Sequence, residues 1–245
     1  MTTLRTHGLG SPRVIEYDES LHLDVVPGFQ IVSRPLAVGM RGFDTSQKLT
    51  LEQYEWAKAS GFDFAVRYAP LAGQNPAVGI DGAELEDGLS TGLGMMIVQF
   101  SRTQGLSGPQ GQQDGAALIT RCQTLGLPPD MSLWGDFSPA DPATMKAYGN
   151  ALYAATVAGG AAVGAFGGYN EPGVPSGLNL RTDYTFHRYW RTNGEVPEVE
   201  GRGYQLHQLF PGNVTVGPAG ATFLIDYDFV GSDWLGSYPV AAFKA

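Results

Sequence analysis

The chain has 245 residues, 43% of them hydrophobic, enough for one large core or two small ones. Its 24 acidic against 15 basic residues give a net charge of −9. That balance excludes a phosphate-neutralising nucleic-acid surface, and it excludes electrostatic adhesion to anionic membranes or wall polymers. The single cysteine, Cys122, excludes a disulfide framework and a cysteine zinc cluster.

Residues 1–39 lie outside the rhythm of the rest. The first twenty carry no apolar core of signal-peptide length. No run approaches the ~18 apolar residues of a membrane span. The stretch "RVIEYDESLHLDVVPGFQIVSRP" has alternating patches and two proline stops, and reads as an N-terminal arm. The arm either docks on a partner or closes the bottom of the following domain, which is expected to span residues 40–245.

From residue 40 onward, eight short apolar runs alternate with longer segments. They are "MRGFDTS", "FDFAVRYAP", "GMMIVQFS", "SLWGDFS", "AAVGAFGGY", "FHRYWRT", "GYQLHQLF" and "TFLIDYDFVG". Near-continuous apolar runs suit parallel strands buried on both faces. The first four connections can hold helices. In "TLEQYEWAKASG", Thr50 and Gln53 form a capping-box pattern, Leu51, Tyr54 and Lys58 have helical spacing, and Gly61 is the stop. "DGAELEDGLSTG" is a second helix. "QQDGAALITRCQTLG" is a third, with Leu118, Cys122 and Leu125 on one stripe. A fourth opens with Asp141 as N-cap and Pro142 at its first position. "NEPGVPSGLNLRTDYT" reads as a long irregular loop at the rim. The later connections, "NGEVPEVEGR" and "PGNVTVGPAGA", are too short for crossover helices and read as loops or hairpins, so the final strands can pair antiparallel. The fold class is therefore α/β, a TIM-like barrel with β/α units first and nearly helix-free strands last.

Sites in such barrels lie at the carboxyl ends of the strands. The polar residues there are Asp44, Arg67 with Tyr68, Gln99, Asp136 with Ser138, Tyr169 with Glu171, Trp190, His207 with Gln208, and the pair Asp226 and Asp228. Carboxylates, amides and aromatics together suit a carbohydrate, whose hydroxyls meet acids and amides while its apolar face meets rings. Singly, each has a structural alternative: a strand-end Asp can cap the next helix, Trp190 can be core, and His207 is better explained as a satisfied core histidine than as a catalyst.

The motifs "GFDTSQ", "FAVRYAP", "LWGDFS", "VGAFGGY", "YWRT", "LHQL" and "IDYD", over roughly residues 40–235, are similar in order and spacing to a glycoside-hydrolase-like domain of actinobacterial secreted and phage proteins. That domain is related to the family 25 glycoside hydrolases, the lysozyme-like muramidases. The resemblance implies a barrel of five β/α units followed by three strands with little or no helix. It implies a cell-wall glycan such as peptidoglycan as ligand, with no metal or cofactor. Asp44, Asp136 and Asp226 match the muramidase acids. Ser138 stands where the muramidases carry the glutamate of an Asp-x-Glu motif. A serine cannot protonate a glycosidic oxygen as a carboxylic acid of raised pKa can.

Three readings follow. Glu171, or another acid of the ring, replaces the missing glutamate, so that Asp44, Asp136, Asp226 and Glu171 form the catalytic set. Alternatively the barrel binds glycan without cutting it, through Arg67, Gln99, Ser138, Tyr169, Trp190, Gln208 and Asp228. The third and weakest reading collects Asp44, Asp136, Asp226 and Asp228 around Mg²⁺ or Ca²⁺. By analogy the setting is a phage tail component or lysin, with residues 1–39 contacting other tail proteins. A secreted actinobacterial wall protein and a purely structural virion protein are the rivals.

Overall fold

The structure, a computed structural model, describes residues 28–137, 142–160, 166–170, 185, 188–191, 204–209, 212–231 and 238–245. All eight apolar runs form strands: β2 (Arg41–Thr45), β3 (Phe64–Ala69), β4 (Gly94–Gln99), β5 (Leu133–Phe137), β6 (Phe166–Asn170), β7 (Arg188–Arg191), β8 (Leu206–Gln208) and β10 (Phe223–Val230). Three more strands join them, β1 (Ile31–Pro35), β9 (Val214–Val216) and β11 (Val240–Lys244). Helices α1 (Leu51–Ala59), α2 (Gly82–Ser90), α3 (Gly108–Thr124) and α4 (Pro142–Ala158) fill the first four crossovers. The long segment after β6 and the Asp141 cap lie outside the described residues, and so does any helix of a fifth unit.

The fold is mixed α/β, a curled sheet with helices along its outside. Strands β2 to β8 pair in chain order, all parallel. Strand β10 runs antiparallel between β8 and β2, and β5 pairs back to β4 to the side. Among β7 to β10, antiparallel pairing is confined to the pairs that β10 makes, with β2, β8 and its hairpin partner β9, while β7 and β8 are parallel.

Period-2 alternation sorts the side chains into two layers. Phe43, Ala65, Met95, Ile97 and Leu133 point outward and pack with Tyr54, Leu85, Leu89, Leu118 and Tyr148 of the helices. Phe64, Val66, Met96, Val98, Trp134, Trp190, Leu206 and Val230 point inward. Gly42 makes room for the Phe64 ring in this interior, because a Cβ there would meet that ring at 2.2 Å.

The helices start where their caps put them. Thr50 and Gln53 form the reciprocal capping box, and Gly61 follows at φ +86°. The buried face of α1 is Gln53, Tyr54 and Ala57 rather than the Leu51 and Lys58 stripe, because both of those are exposed. Helix α3 begins four residues earlier than the apolar pattern indicates. Ser107 caps it by accepting from Gln110 N–H, and Pro109 tolerates the first turn. Gly111 and Gly115 let α3 lie directly on α4, where a Cβ would come within 2.2 Å of Tyr148 O and 2.5 Å of Leu152 O.

Strand β1 pairs antiparallel with β11, and β11 pairs with β4 through Ala242 and Met95. Leu36 and Ala241 enter the inner apolar cluster, with Phe243 against it. They pack at the amino-terminal ends of the parallel strands, so residues 31–36 are built into the end of the sheet opposite the carboxyl-end mouth.

Candidate functional site

The acidic cluster begins with register. Asp44 near the end of β2 stands opposite Asp226 of β10. Asp228, two residues on and so on the same face, stands opposite Gly42 on one side and Gln208 of β8 on the other. The sequence "IDYD" on an antiparallel strand therefore delivers two carboxylates to the mouth where β2 delivers a third.

Gln208 ties the cluster together. Its Nε2 donates to Asp44 Oδ2 at 2.8 Å and to Asp226 Oδ2 at 3.1 Å. One amide thus bridges two like charges and offsets part of their repulsion. The Tyr68 hydroxyl donates to Asp44 Oδ1 at 3.3 Å. Asp226 Oδ1 accepts from the backbone N–H of Asn213, which holds a left-handed φ of 56°. Asparagine tolerates that conformation better than most residues. The Trp190 indole N–H donates to Asp228 Oδ1 at 2.9 Å.

Exposure separates the acids. Asp44 and Asp228 are 3% and 2% exposed, whereas Asp226 and Asp136 are half-buried and face the mouth. Burial, followed by the charge of Asp226, pushes the Asp44 carboxyl up to about 7, against the partial relief of its hydrogen bonds to Gln208, Asp228 and Tyr68. Burial, with Asp44 next in importance, holds Asp228 well above the usual carboxylate range.

Asp136 has the inward parity of Trp134 and lies opposite Tyr169 in the β5–β6 register. Trp190 is fully buried, with its ring edge-on to Trp134 at 5.7 Å between centroids. It serves Asp228 from within the core rather than forming an exposed platform. Among the described residues, Tyr68 is a half-buried aromatic at this mouth, packed against Phe100 at 4.7 Å between centroids.

Arg67 and Gln99 are not brought to the cluster. They alternate to the helix side of β3 and β4. Arg67 Nε donates to Glu84 Oε1 at 2.7 Å in a fully buried ion pair that also receives the Tyr54 hydroxyl and Leu49 N–H. Gln99 Nε2 donates to the Asp114 carbonyl of α3 at 2.6 Å. His207 also points away from the cluster, stacked on Phe229 at 4.7 Å. Tyr169 is placed in β6 by its backbone, and Ser138 and Glu171 lie outside the described residues. Sequence reasoning named Tyr68 at its strand end but gave the ligand role to Arg67, and it passed over Asn213. Alternation along "FAVRYA" would have preferred Tyr68 to Arg67, since Phe64 and Val66 share its face. Asn213 has no comparable signal.

Among the described residues, no group of three or more Asp, Glu, His or Cys is arranged to hold a metal ion. None of the described helices is long and apolar enough to cross a membrane.

Similar folds occur among wall-lytic and secreted proteins. The Tat-secreted protein Rv2525c of Mycobacterium tuberculosis, solved with L-tartrate, has a TM-score of 0.57 at 16% identity, covering 81% of this chain and 100% of that one. A muramidase from Trichobolus zukalii has a TM-score of 0.58 at 15% identity, covering 79% and 94%. The CTP1L endolysin has a TM-score of 0.53 at 12% identity, covering 80% and 67%. No curated protein matches the sequence. The family model matches residues 55–230, a span that holds Asp136, Gln208, Asp226 and Asp228 though not Asp44, and the chain belongs to the family described as the Rv2525c-like, glycoside hydrolase-like domain.

Proposed function

We propose that the protein recognises a cell-wall glycan of the peptidoglycan type at the carboxyl-end mouth of a complete TIM-like barrel. The return pairing of β5 to β4 supports the closed barrel. The observation that carries the glycan reading is the Gln208-bridged pair of Asp44 and Asp226, backed by Asp228, on the face that Asp136 and Tyr68 share. Half-buried carboxylates offer acceptors to sugar hydroxyls, and the Tyr68 ring offers a flat apolar surface. Similarity to a muramidase and an endolysin supports the ligand class.

A second reading has the barrel cleave the glycan. Asp44, held up to about 7, supports it, because a carboxyl that keeps its proton near neutrality suits a general acid. Asp136, Asp226 and Glu171 would complete the acid set, with Ser138 and Tyr169 among the ligand contacts. The setting we favour is a phage tail component or lysin, which the endolysin relative supports. Docking on other tail proteins would then fall to residues ahead of β1. The Tat-secreted relative supports a secreted wall protein instead.

The test is incubation with purified peptidoglycan and soluble glycan fragments, using wild type, Asp136→Asn and Glu171→Gln, with mass spectrometry of products. Binding without product supports recognition alone. Product from wild type that Asp136→Asn abolishes supports hydrolysis. Neither binding nor product contradicts both readings and leaves a structural role.

A further inference from the structure

Three carboxylates, Asp44, Asp226 and Asp228, crowd one face of β2 and β10. None of the described cations pairs with any of them. Their contacts come from uncharged groups: Gln208 of β8, Trp190 of β7, Tyr68 of β3 and the Asn213 backbone. Three buried or half-buried negative charges with no counter-ion among the described residues repel strongly in a medium of low dielectric. At least one proton must reside there.

Its place can be read from the donors. Asp228 Oδ1 accepts from Trp190, while Asp228 Oδ2 is buried and meets no N–H or O–H donor among the described residues. Asp44 already accepts on both oxygens, from Tyr68 and Gln208. Asp44 and Asp228 lie diagonally across one face of the β2–β10 pair, Asp228 standing opposite Gly42, two residues from Asp44. Two ionised carboxylates are acceptors only, so a hydrogen bond between these neighbours requires a proton on one of them. Asp228 is the member with an oxygen left over to carry it.

We propose that Asp228 is a positioning residue, a neutral carboxylic acid that donates its proton to Asp44 and so fixes the Asp44–Gln208–Asp226 array that meets the ligand. Trp190 holds the other end of Asp228 in place. The structural role of Asp228 stands without the glycan reading, and its effect on ligand rests on that reading.

The isosteric substitution is Asp228→Asn. Its amide would donate to Asp44 and its carbonyl would accept from Trp190, reproducing both bonds of a neutral acid. Asp228→Ala removes both and leaves the buried indole N–H without an acceptor. The test uses the full chain, following the Asp228 side-chain carboxyl carbon by ¹³C NMR between pH 4 and 8. Thermal midpoints and peptidoglycan-fragment binding would be measured for wild type, Asp228→Asn and Asp228→Ala.

The Asp228 carbon should hold the shift of a neutral acid through pH 7. Asp228→Asn should keep the wild-type thermal midpoint and bind fragments within about twofold of wild type. Asp228→Ala should bind about tenfold more weakly or worse, the scale of one lost hydrogen bond to a charged group. An Asp228 carbon that titrates near the ordinary value of about 4 would overturn the proposal. So would an Asp228→Asn variant as impaired as Asp228→Ala. If wild type binds no fragment, the glycan reading fails on its own, and the NMR titration with the Asp228→Asn midpoint still decides the protonation of Asp228.

Discussion

Asp44 and Asp226 face each other across the β2–β10 register, and a single amide nitrogen, Gln208 Nε2, donates to both. A parallel strand and an antiparallel strand meet there, so two chain segments 182 residues apart supply one acidic pair. Gln208→Ala would leave the two carboxylates without their shared donor. We predict that this variant folds, binds glycan fragments about tenfold more weakly, and moves the Asp44 midpoint further up, since a hydrogen bond that favours its ionised form is lost. Carboxyl NMR and fragment titration check both effects.

The Asp44 carboxyl should also leave a mark on stability. In the unfolded chain it titrates near its ordinary value of 3.8, and in the folded chain at about 7. Between those values the folded state holds the extra proton. The contribution is therefore fully present below about pH 4 and is lost as pH rises through 7. Asp44→Asn should flatten this slope in denaturation midpoints measured from pH 4 to 8. An unchanged slope would show that Asp44 takes up no proton of its own beside the one on Asp228.

Arg67 illustrates what the sequence could and could not disclose. The eight strands and four helices were legible because apolar runs and capping residues are local signals. The three acidic strand ends were legible too, since "IDYD" forces Asp226 and Asp228 onto one face. Arg67 and Gln99 were misplaced because a polar residue near a strand end can face either layer, and only the parity set by Phe64, Val66, Met96 and Val98 decides between them. Strands β1 and β11 were not legible as a pair, because their partnership joins segments about 200 residues apart, a separation that no local pattern spans.

The buried Arg67–Glu84 pair supplies a stability prediction. Glu84→Ala strands a guanidinium in the core and should cost about 3–5 kcal/mol, read by urea denaturation. A double Arg67→Met, Glu84→Met variant should recover much of that loss and bind glycan as wild type does. Loss of binding in a folded double variant would return Arg67 to the ligand site.

Leu36 reports on the segment before β2. It is buried in the inner cluster beside Ala241, so Leu36→Ala should destabilise the domain by about 2–5 kcal/mol. A change near zero would mean that residues 31–36 lie on the sheet without supporting it.

Ser138 bears on the second reading. Ser138→Glu places a carboxyl two residues after Asp136, where the muramidases carry their acid. The variant should gain glycan cleavage detectable by mass spectrometry, since two nearby carboxyls repel and raise one toward the general-acid range. A folded variant that binds fragments and cuts nothing would show that more than this acid separates the chain from the hydrolases.

The most direct measurement of the central claim is calorimetric titration of soluble peptidoglycan fragments into wild type and into Asp226→Ala, the half-buried member of the cluster. Saturable binding by wild type, weakened about tenfold or more in Asp226→Ala, is the predicted result. Equal binding by the two proteins, or none by either, would contradict a glycan site at the Asp44–Asp226 mouth.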